Sequence, residues 1–385
     1  MPLMTKHTII IGDAGRTRAI PPDSVDLVIT SPPYPMIAMW DDLFCSRNPR
    51  VAEKLGRGKG IDAFELMHQD LEPIWDRIYQ VLRPGGFACI NIGDATRKIG
   101  DDFCLYANHA RLLHHLTKIG FSVLPDILWR KQTNSPTKFM GSGMLPAGAY
   151  VTLEHEYILI VRKGGKRVFK TDADKENRRH SAIFWEERNE WFSDVWMDLK
   201  GAVQEMGGQG ARLRSGAFPF ELAYRLINMY SVKGDTILDP FAGTGTTMAA
   251  AMAACRNSVG VEIDPTLMPL IRESISRVLP FANQRIEQRL AAHLSFVQDR
   301  VERNKPLKYV NRYYGFPVVT NQEKELLISG LERIHAAGKN AWTVDYSPAP
   351  RGNDDGENIL MPHTKPAAPE KATSPKKSRQ MGLFD

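Results

Sequence analysis

Ser31-Pro32-Pro33-Tyr34 follows directly on the apolar run Val25–Thr30, which reads as a buried strand. In an open α/β sheet, ligands bind at the carboxyl ends of strands. Two prolines remove two backbone donors and stiffen the turn, so the carbonyl of Pro32 is left to accept from a ligand. Ser31 adds a hydroxyl and Tyr34 a flat ring. Two acceptors beside an aromatic wall suit a planar base that carries an amino group. The same four residues also serve as an ordinary proline-rich turn, so they need a second site to give them meaning.

The stretch Asp239-Pro240-Phe241-Ala242-Gly243-Thr244-Gly245-Thr246-Thr247 supplies one. It lies between a strand and a helix, where glycines allow close approach of a ligand to the backbone. Met248 stands where the dinucleotide fingerprint needs glycine, and no Gly-Lys-Thr follows, so neither that motif nor a phosphate-cradling Walker loop is present. Glu262 ends the next strand, where a carboxylate can accept from ribose hydroxyls. Strand, loop, helix, strand and acid together favour a nucleoside-type ligand.

The elements that position these motifs alternate. Short apolar runs at Thr8–Ile11, Val25–Thr30, Phe87–Ile92, Phe121–Leu124 and Tyr157–Val161 read as strands. Phe64, Met67, Leu71, Ile74, Ile78 and Leu82 recur at helical spacing, and Pro84-Gly85 ends that helix. A second helix is expected over Phe103–Lys118, and the adjacent His114 and His115 within it read as surface or core residues. The rhythm breaks between Gly164 and Ala211, a segment rich in charge and tryptophan that reads as an insertion. It resumes with a helix at Phe218–Tyr230, a strand at Thr236–Leu238, a helix from Thr246 and a strand at Val259–Ile263. A long helix runs on to Arg303, and a last helix is expected at Glu323–Ala336. The alternation predicts a doubly wound, mostly parallel α/β sheet. The expected divisions are residues 1–163 and 212–303 as two halves of one domain, 164–211 inserted, 304–345 a helical extension and 346–385 a disordered tail.

Composition narrows the class. The chain has 385 residues, a formal net charge of +6 and 43% hydrophobic residues, as a soluble globular protein would. A basic excess fits a polyanionic partner. The start MPLMTKHTII lacks the apolar run of a signal peptide, and a cytoplasmic, bacterial or phage-encoded protein with no membrane contact is expected. The four cysteines are scattered, with no Cys-x-x-Cys pair, so neither a metal site nor a disulfide scaffold is expected.

Taken together, the two motifs resemble the amino-methyltransferase family of DNA-modifying enzymes, in the permuted class whose catalytic motif precedes its cofactor motif. The resemblance runs from about Thr8 to Arg272 and includes LRPGGFACINIGD, HEYILIVRKG, SDVWMDL and SGAFPFELAYRLI, with Gly12-Asp13 before the first motif. It implies S-adenosyl-L-methionine as cofactor and a seven-stranded-type methyltransferase sheet, circularly permuted. By this resemblance Asp239, Phe241, Gly243 and Gly245 line the cofactor's methionine portion, Pro240 and Thr246 also bind the cofactor, Glu262 holds the ribose and Asp13 reaches the adenine amine. Phe218, Pro219 and Glu221 close over the methionine end, and Ser31, Pro32, Pro33 and Tyr34 hold the target base. Where the family usually has His before the Phe-Pro pair, this chain has Ser215.

An exocyclic amine is a poor nucleophile because its lone pair is delocalised into the ring. Accepting its hydrogens at Ser31 Oγ and the Pro32 carbonyl frees that pair, and in-line placement against the methyl donor does much of the rest. A stacked base is out of reach, so the nucleotide has to flip out, with Tyr34 as its new stacking partner. Methylation at cytosine carbon-5 uses a cysteine that follows proline, and none of the four does. In the family, Ser before Pro-Pro-Tyr usually accompanies cytosine N4, and Asp or Asn accompanies adenine N6. A hydroxyl can serve either base, and an RNA or protein methyltransferase or a non-catalytic DNA-binding protein are the other readings. Double-stranded DNA is the expected partner, bound by a monomer or homodimer. Base and phosphate contacts are expected from Lys166, Arg167, Lys170, Arg178, Arg179 and Arg188, with Arg47, Arg50, Arg57 and Lys59 clamping the backbone. The terminal Gln380, Met381, Leu383 and Phe384 look like a peptide that docks on a bacterial sliding clamp.

Overall fold

The structure is a computed structural model that describes residues 4–131, 140–200, 218–305 and 307–347. Its large sheet has eleven strands. In chain order they are β1 (Met4–Ile11), β2 (Val25–Thr30), β3 (Leu82–Ile92), β4 (Phe121–Val123), β5 (Ile127–Arg130), β6 (His155–Lys163), β7 (Val195–Trp196), β8 (Thr236–Asp239), β9 (Asn257–Glu262), β10 (Leu331–Gly338) and β11 (Ala341–Tyr346). Their spatial order is β7-β5-β6-β3-β2-β8-β9-β1-β11-β10, with β4 also paired to β6. The five strands β3-β2-β8-β9-β1 are mutually parallel. Antiparallel strands flank them, β6 on β3 and β11 on β1. The late strands β8 and β9 thus enter between the early strands β2 and β1.

All six residues of β2 are buried, because both sheet faces are covered there. The helices with roles below are α1 (Asp41–Arg47), α2 (Pro49–Gly56), α3 (Gly60–Val81), α4 (Asn108–Lys118), α5 (Asp172–His180), α6 (Trp185–Trp191), α7 (Phe220–Tyr230), α8 (Thr246–Ala253) and α9 (Met268–Glu302). The stripe Phe64, Met67, Leu71, Ile74, Ile78 of α3 packs into one core with Val28, Ile90, Leu238 and Val261. α7 and α8 pack on the sheet too, and α8 is almost wholly buried, which suits its run of small residues.

Three expectations need correction. Glu323–Ala336 is not a helix: after a short 3-10 turn at Asn321–Glu325 the chain enters the β10–β11 hairpin, which completes the sheet beyond β1. Local spacing suggested a helix, but Lys339-Asn340 is a turn, and the open edge of β1 offers backbone partners that a helix would leave unmet. The extension at 304–345 therefore ends in a strand hairpin where a helix was expected. Likewise Asp102–Tyr106 is a strand paired with Ala95–Ile99 around a turn in which Gly100 has φ +62°, and α4 begins only at Asn108. The segment expected as an insertion takes part in the fold. Its β7 extends the sheet beside β5, while Phe184, Trp191 and Trp196 are fully buried.

Candidate active site

β2 and β8 are hydrogen-bonded neighbours, with Leu27 opposite Ile237 and Val28 opposite Leu238. Their carboxyl ends therefore emerge together, which brings Ser31 beside the glycine loop. Thr30 Oγ1, one residue before Ser31, donates to Asp239 Oδ1 at 2.7 Å. Asp239 also takes the Phe241 amide at 3.0 Å and the Thr247 hydroxyl at 2.6 Å. It is 4% exposed, and burial raises its carboxyl to about 6 despite those bonds. Asp239, expected at the cofactor, ties the loop, the first turn of α8 and β2 into one unit.

Glu262 joins the neighbouring strand ends. Its Oε2 accepts from Gly243 N at 2.8 Å and its Oε1 from Asp264 N at 2.8 Å. Its own carbonyl takes the Gly12 amide at 2.8 Å. A Cβ at Gly243 would meet nothing closer than the Phe241 carbonyl at 3.9 Å, and one at Gly12 would meet nothing within 4 Å. Among the described residues these strand ends therefore border open space, rimmed by backbone amides and by the carboxylates of Glu262 and Asp13. Gly243 and Gly245 have φ of +53° and +85°, the left-handed region that glycine enters without strain. Phe241 packs on Trp75 of α3, with ring centres 6.0 Å apart. A nucleoside with hydroxyls, an amine and a flat base fits such a cradle: acceptors face its donors, and glycine leaves it room.

Other residues expected at the cofactor are held by the protein itself. Asp13 accepts from Gly15 N at 2.8 Å and pairs with Arg47 Nη1 at 3.1 Å. Arg47, expected on the DNA backbone, reaches Asp70 as well and so braces this loop. Glu221 lies in the first turn of α7 and pairs with Arg285 of α9 through both oxygens, at 2.8 and 2.7 Å, and with Arg225 at 3.2 Å. Burial works to raise its carboxyl, but the two guanidiniums outweigh it and hold the group below its ordinary value. Phe218 is buried and Pro219 caps α7. Pro240 and Thr246 stand at the two ends of the glycine loop.

Around the first motif, Ser31 Oγ donates to the Tyr34 hydroxyl at 2.9 Å, and Tyr34 donates to Glu156 Oε2 at 2.9 Å. Asn91 Nδ2 donates to both Tyr34 and Glu156 at 2.7 Å, and Lys131 Nζ to Glu156 Oε1 at 2.9 Å. Tyr34 is 8% exposed, with its ring edge against Gly93, where a Cβ would come within 3.0 Å. Burial and the Glu156 charge push its phenol well above the ordinary value. The ring expected as an open stacking wall is thus largely enclosed, and its hydroxyl has clear partners. Among the described residues no donor takes the Pro32 carbonyl, and Pro32 and Pro33 are both buried. The turn beyond is fixed by Asn108, whose amide donates to the carbonyls of Pro35 and Gly93 at 3.0 and 2.9 Å while its oxygen meets His68 Nε2 at 3.0 Å. Sequence reasoning missed Asn91, Asn108, Lys131 and Glu156. Asn91 and Glu156 lie in INIGD and HEYILIV, strings that carried the resemblance without being given a role.

The basic residues divide. Arg167 pairs with Asp235 at 2.6 Å and Asp26 at 3.3 Å, and Arg179 with Glu325 at 2.5 Å. Arg57 pairs with Glu53 at 2.9 Å on α2, Arg178 lies over Phe169 and Arg188 over Phe192. Arg50, Lys59, Lys166 and Lys170 are exposed. Gln380, Met381, Leu383 and Phe384 lie outside the described residues, as does Ser215. Among the described residues no helix is long and apolar enough to cross a membrane, and no cluster of ligating side chains could hold a metal ion.

Known proteins resemble this chain. The family model for N6/N4-type DNA methylases matches residues 25–273, which includes both motifs. The Type II methyltransferase M.MthZI of Methanothermobacter thermautotrophicus is 50% identical over 325 residues, 84% of this chain and 90% of that one. M.MjaI of Methanocaldococcus jannaschii, also a Type II methyltransferase, is 47% identical over 285 residues, 71% of this chain and 92% of its own. A DNA modification methylase of Thermus thermophilus, TTHA0409, solved in complex with S-adenosyl-L-methionine, superposes with a TM-score of 0.56 at 32% identity, covering 71% of this chain and 96% of that one. With its acceptor turn and glycine cradle on adjacent parallel strands, this chain belongs to the N6/N4 DNA methylase family and is an S-adenosylmethionine-dependent DNA methyltransferase.

Proposed function

We propose that the protein is a site-specific Type II DNA methyltransferase acting on the exocyclic N4 amine of a cytosine flipped out of double-stranded DNA. The observation that supports it most is the hydroxyl of Ser31: its proton is engaged by Tyr34, so its lone pairs are left to accept, and it stands one strand from the glycine cradle. Bound in that cradle, S-adenosylmethionine supplies a methyl group made electrophilic by its positively charged sulfur. Gly12 and Glu262 hold the nucleoside part, and Phe241 and Gly243 line the methionine part. Ser31 Oγ and the Pro32 carbonyl accept the two amine hydrogens, which favours a pyramidal nitrogen and aims its lone pair at the methyl carbon. In the family, serine before Pro-Pro-Tyr usually accompanies cytosine. Exposed Lys59, Lys166 and Lys170 supply charge for phosphates. Arg178 and Arg188, stacked on aromatic rings, are the better candidates for base edges.

Transfer of tritium from labelled S-adenosylmethionine to duplex DNA tests this. The Ser31→Ala protein should transfer about 100-fold more slowly, as loss of a preorganised polar group in a reacting site commonly costs. Its affinity for duplex DNA in a gel-shift titration should stay near that of the parent. A matching loss of DNA affinity would place Ser31 in general DNA binding and remove it from the chemistry.

A further inference from the structure

The hydrogen bonds behind Ser31 run in one direction. Ser31 donates to Tyr34 at 2.9 Å, Tyr34 donates to Glu156 at 2.9 Å, and Asn91 donates to both at 2.7 Å. The Tyr34 oxygen accepts from Ser31 and from Asn91, so its own hydrogen has one place to go, the Glu156 carboxylate. Lys131 fixes the far carboxylate oxygen at 2.9 Å while stacking its ammonium over Trp129. Three strands supply this chain: β2 leads into Ser31 and Tyr34, β3 carries Asn91 and β6 carries Glu156. β3 pairs with both of the others, so the register of the sheet sets the spacing.

We infer that Glu156 is a positioning residue and proton sink for methyl transfer, acting through Tyr34 and Ser31. The inference rests on the proposed amine-methylating reading of Ser31. It goes further in naming where the reaction's proton goes. When the amine lone pair forms the new N–C bond, the C–S electron pair departs with sulfur and the nitrogen is left with one proton too many. That proton passes to Ser31 Oγ as the hydroxyl proton of Ser31 passes to Tyr34 and that of Tyr34 to Glu156 Oε2. Both hydroxyls are restored and the carboxylate becomes a carboxylic acid. The Glu156 side chain is 13% exposed, which gives the proton a way back to water. Before transfer the same chain keeps the Ser31 proton turned inward, so that Ser31 meets the amine as an acceptor. A phenol in a fully apolar pocket would do neither.

The test is single-turnover methyl transfer to unmethylated phage lambda DNA by the full-length protein preloaded with tritiated S-adenosylmethionine. Tyr34→Phe keeps the ring and breaks the chain at its middle, and Glu156→Gln keeps the shape and removes the proton sink. Each should slow transfer by about 100-fold, in the range general acid–base groups contribute. Together they should cost no more than about threefold beyond either alone, because parts of one relay fail as a unit. Calorimetric affinity for S-adenosylmethionine should stay within about twofold in all three, and Glu156→Asp should recover about a tenth of the rate, since a carboxylate is restored on a shorter arm. A Glu156→Gln rate near that of the parent, or losses that multiply in the double variant, would overturn the relay. Absence of DNA labelling by the parent protein would instead count against the methyltransferase reading itself, so the two failures are distinct.

Discussion

Gly243 meets two demands at once. Its backbone sits at φ +53°, and the direction a side chain would take leads into the open cradle beside Glu262. Gly243→Val should therefore weaken S-adenosylmethionine binding by about 100-fold or more in a calorimetric titration, through strain and through lost space. Gly164 supplies the control: it has φ +64° and open surroundings but lies in the turn after β6, so Gly164→Val should carry strain without loss of cofactor affinity. Asp239 gives a pH signature. Burial raises its carboxyl from an ordinary 3.8 to about 6, so between those values the folded protein holds a proton that the unfolded chain has released. Stability from this group is full below about pH 4, falls as pH rises to about 6 and is flat above, by on the order of 3 kcal/mol. Melting temperatures of Asp239→Asn and the parent should accordingly diverge in favour of the variant as pH rises through that window. Parallel curves would show that Asp239 does not carry a raised value.

Among the elements, the strands that carry the two motifs were legible in the sequence because they are buried runs between turn signals. β2 is matched residue for residue, and of the residues expected at helical spacing all but Leu82 fall within α3. What failed were elements decided by pairing with another strand, whether near in the chain or far from it. β10 shows helical spacing in isolation and becomes a strand because β11 pairs with it and with β1. The site divided in the same way. Ser31 and Gly243 announce themselves by motif, whereas Glu156 is an ordinary acid on a strand until the fold sets it 2.9 Å from Tyr34. Charge was the least legible signal, since a lysine or arginine reads alike whether it faces solvent or a carboxylate. Arg167 is the clearest case. It bridges Asp235 and Asp26, both nearly buried, and so ties the segment after β6 to the strands beneath the site. Arg167→Ala should cost about 2 kcal/mol in a denaturant titration, because two buried carboxylates lose a partner. Should its unfolding midpoint match the parent's while DNA affinity drops, Arg167 would belong to the DNA interface after all.

The path of the whole chain explains how two distant motifs make one site. The acceptor turn comes early and the glycine loop far later, past the middle of the chain. They meet because β8 and β9 are laid down between β2 and β1, and the Thr30–Asp239 bond fastens that junction. A polar turn with free acceptors and a cradle for a nucleoside then share one edge of the parallel strands, in a chain whose net charge of +6 favours a polyanionic substrate. All of this serves one chemical act, the methylation of an amine. Its most direct test is to let the purified protein act on unmethylated duplex DNA with isotopically labelled S-adenosylmethionine, digest the DNA to nucleosides and identify the labelled one by mass spectrometry. The label is expected in N4-methylcytosine and should be lost in the Ser31→Ala protein. Label in N6-methyladenine would contradict the assignment of the base, and label in 5-methylcytosine would contradict the chemistry assigned to Ser31.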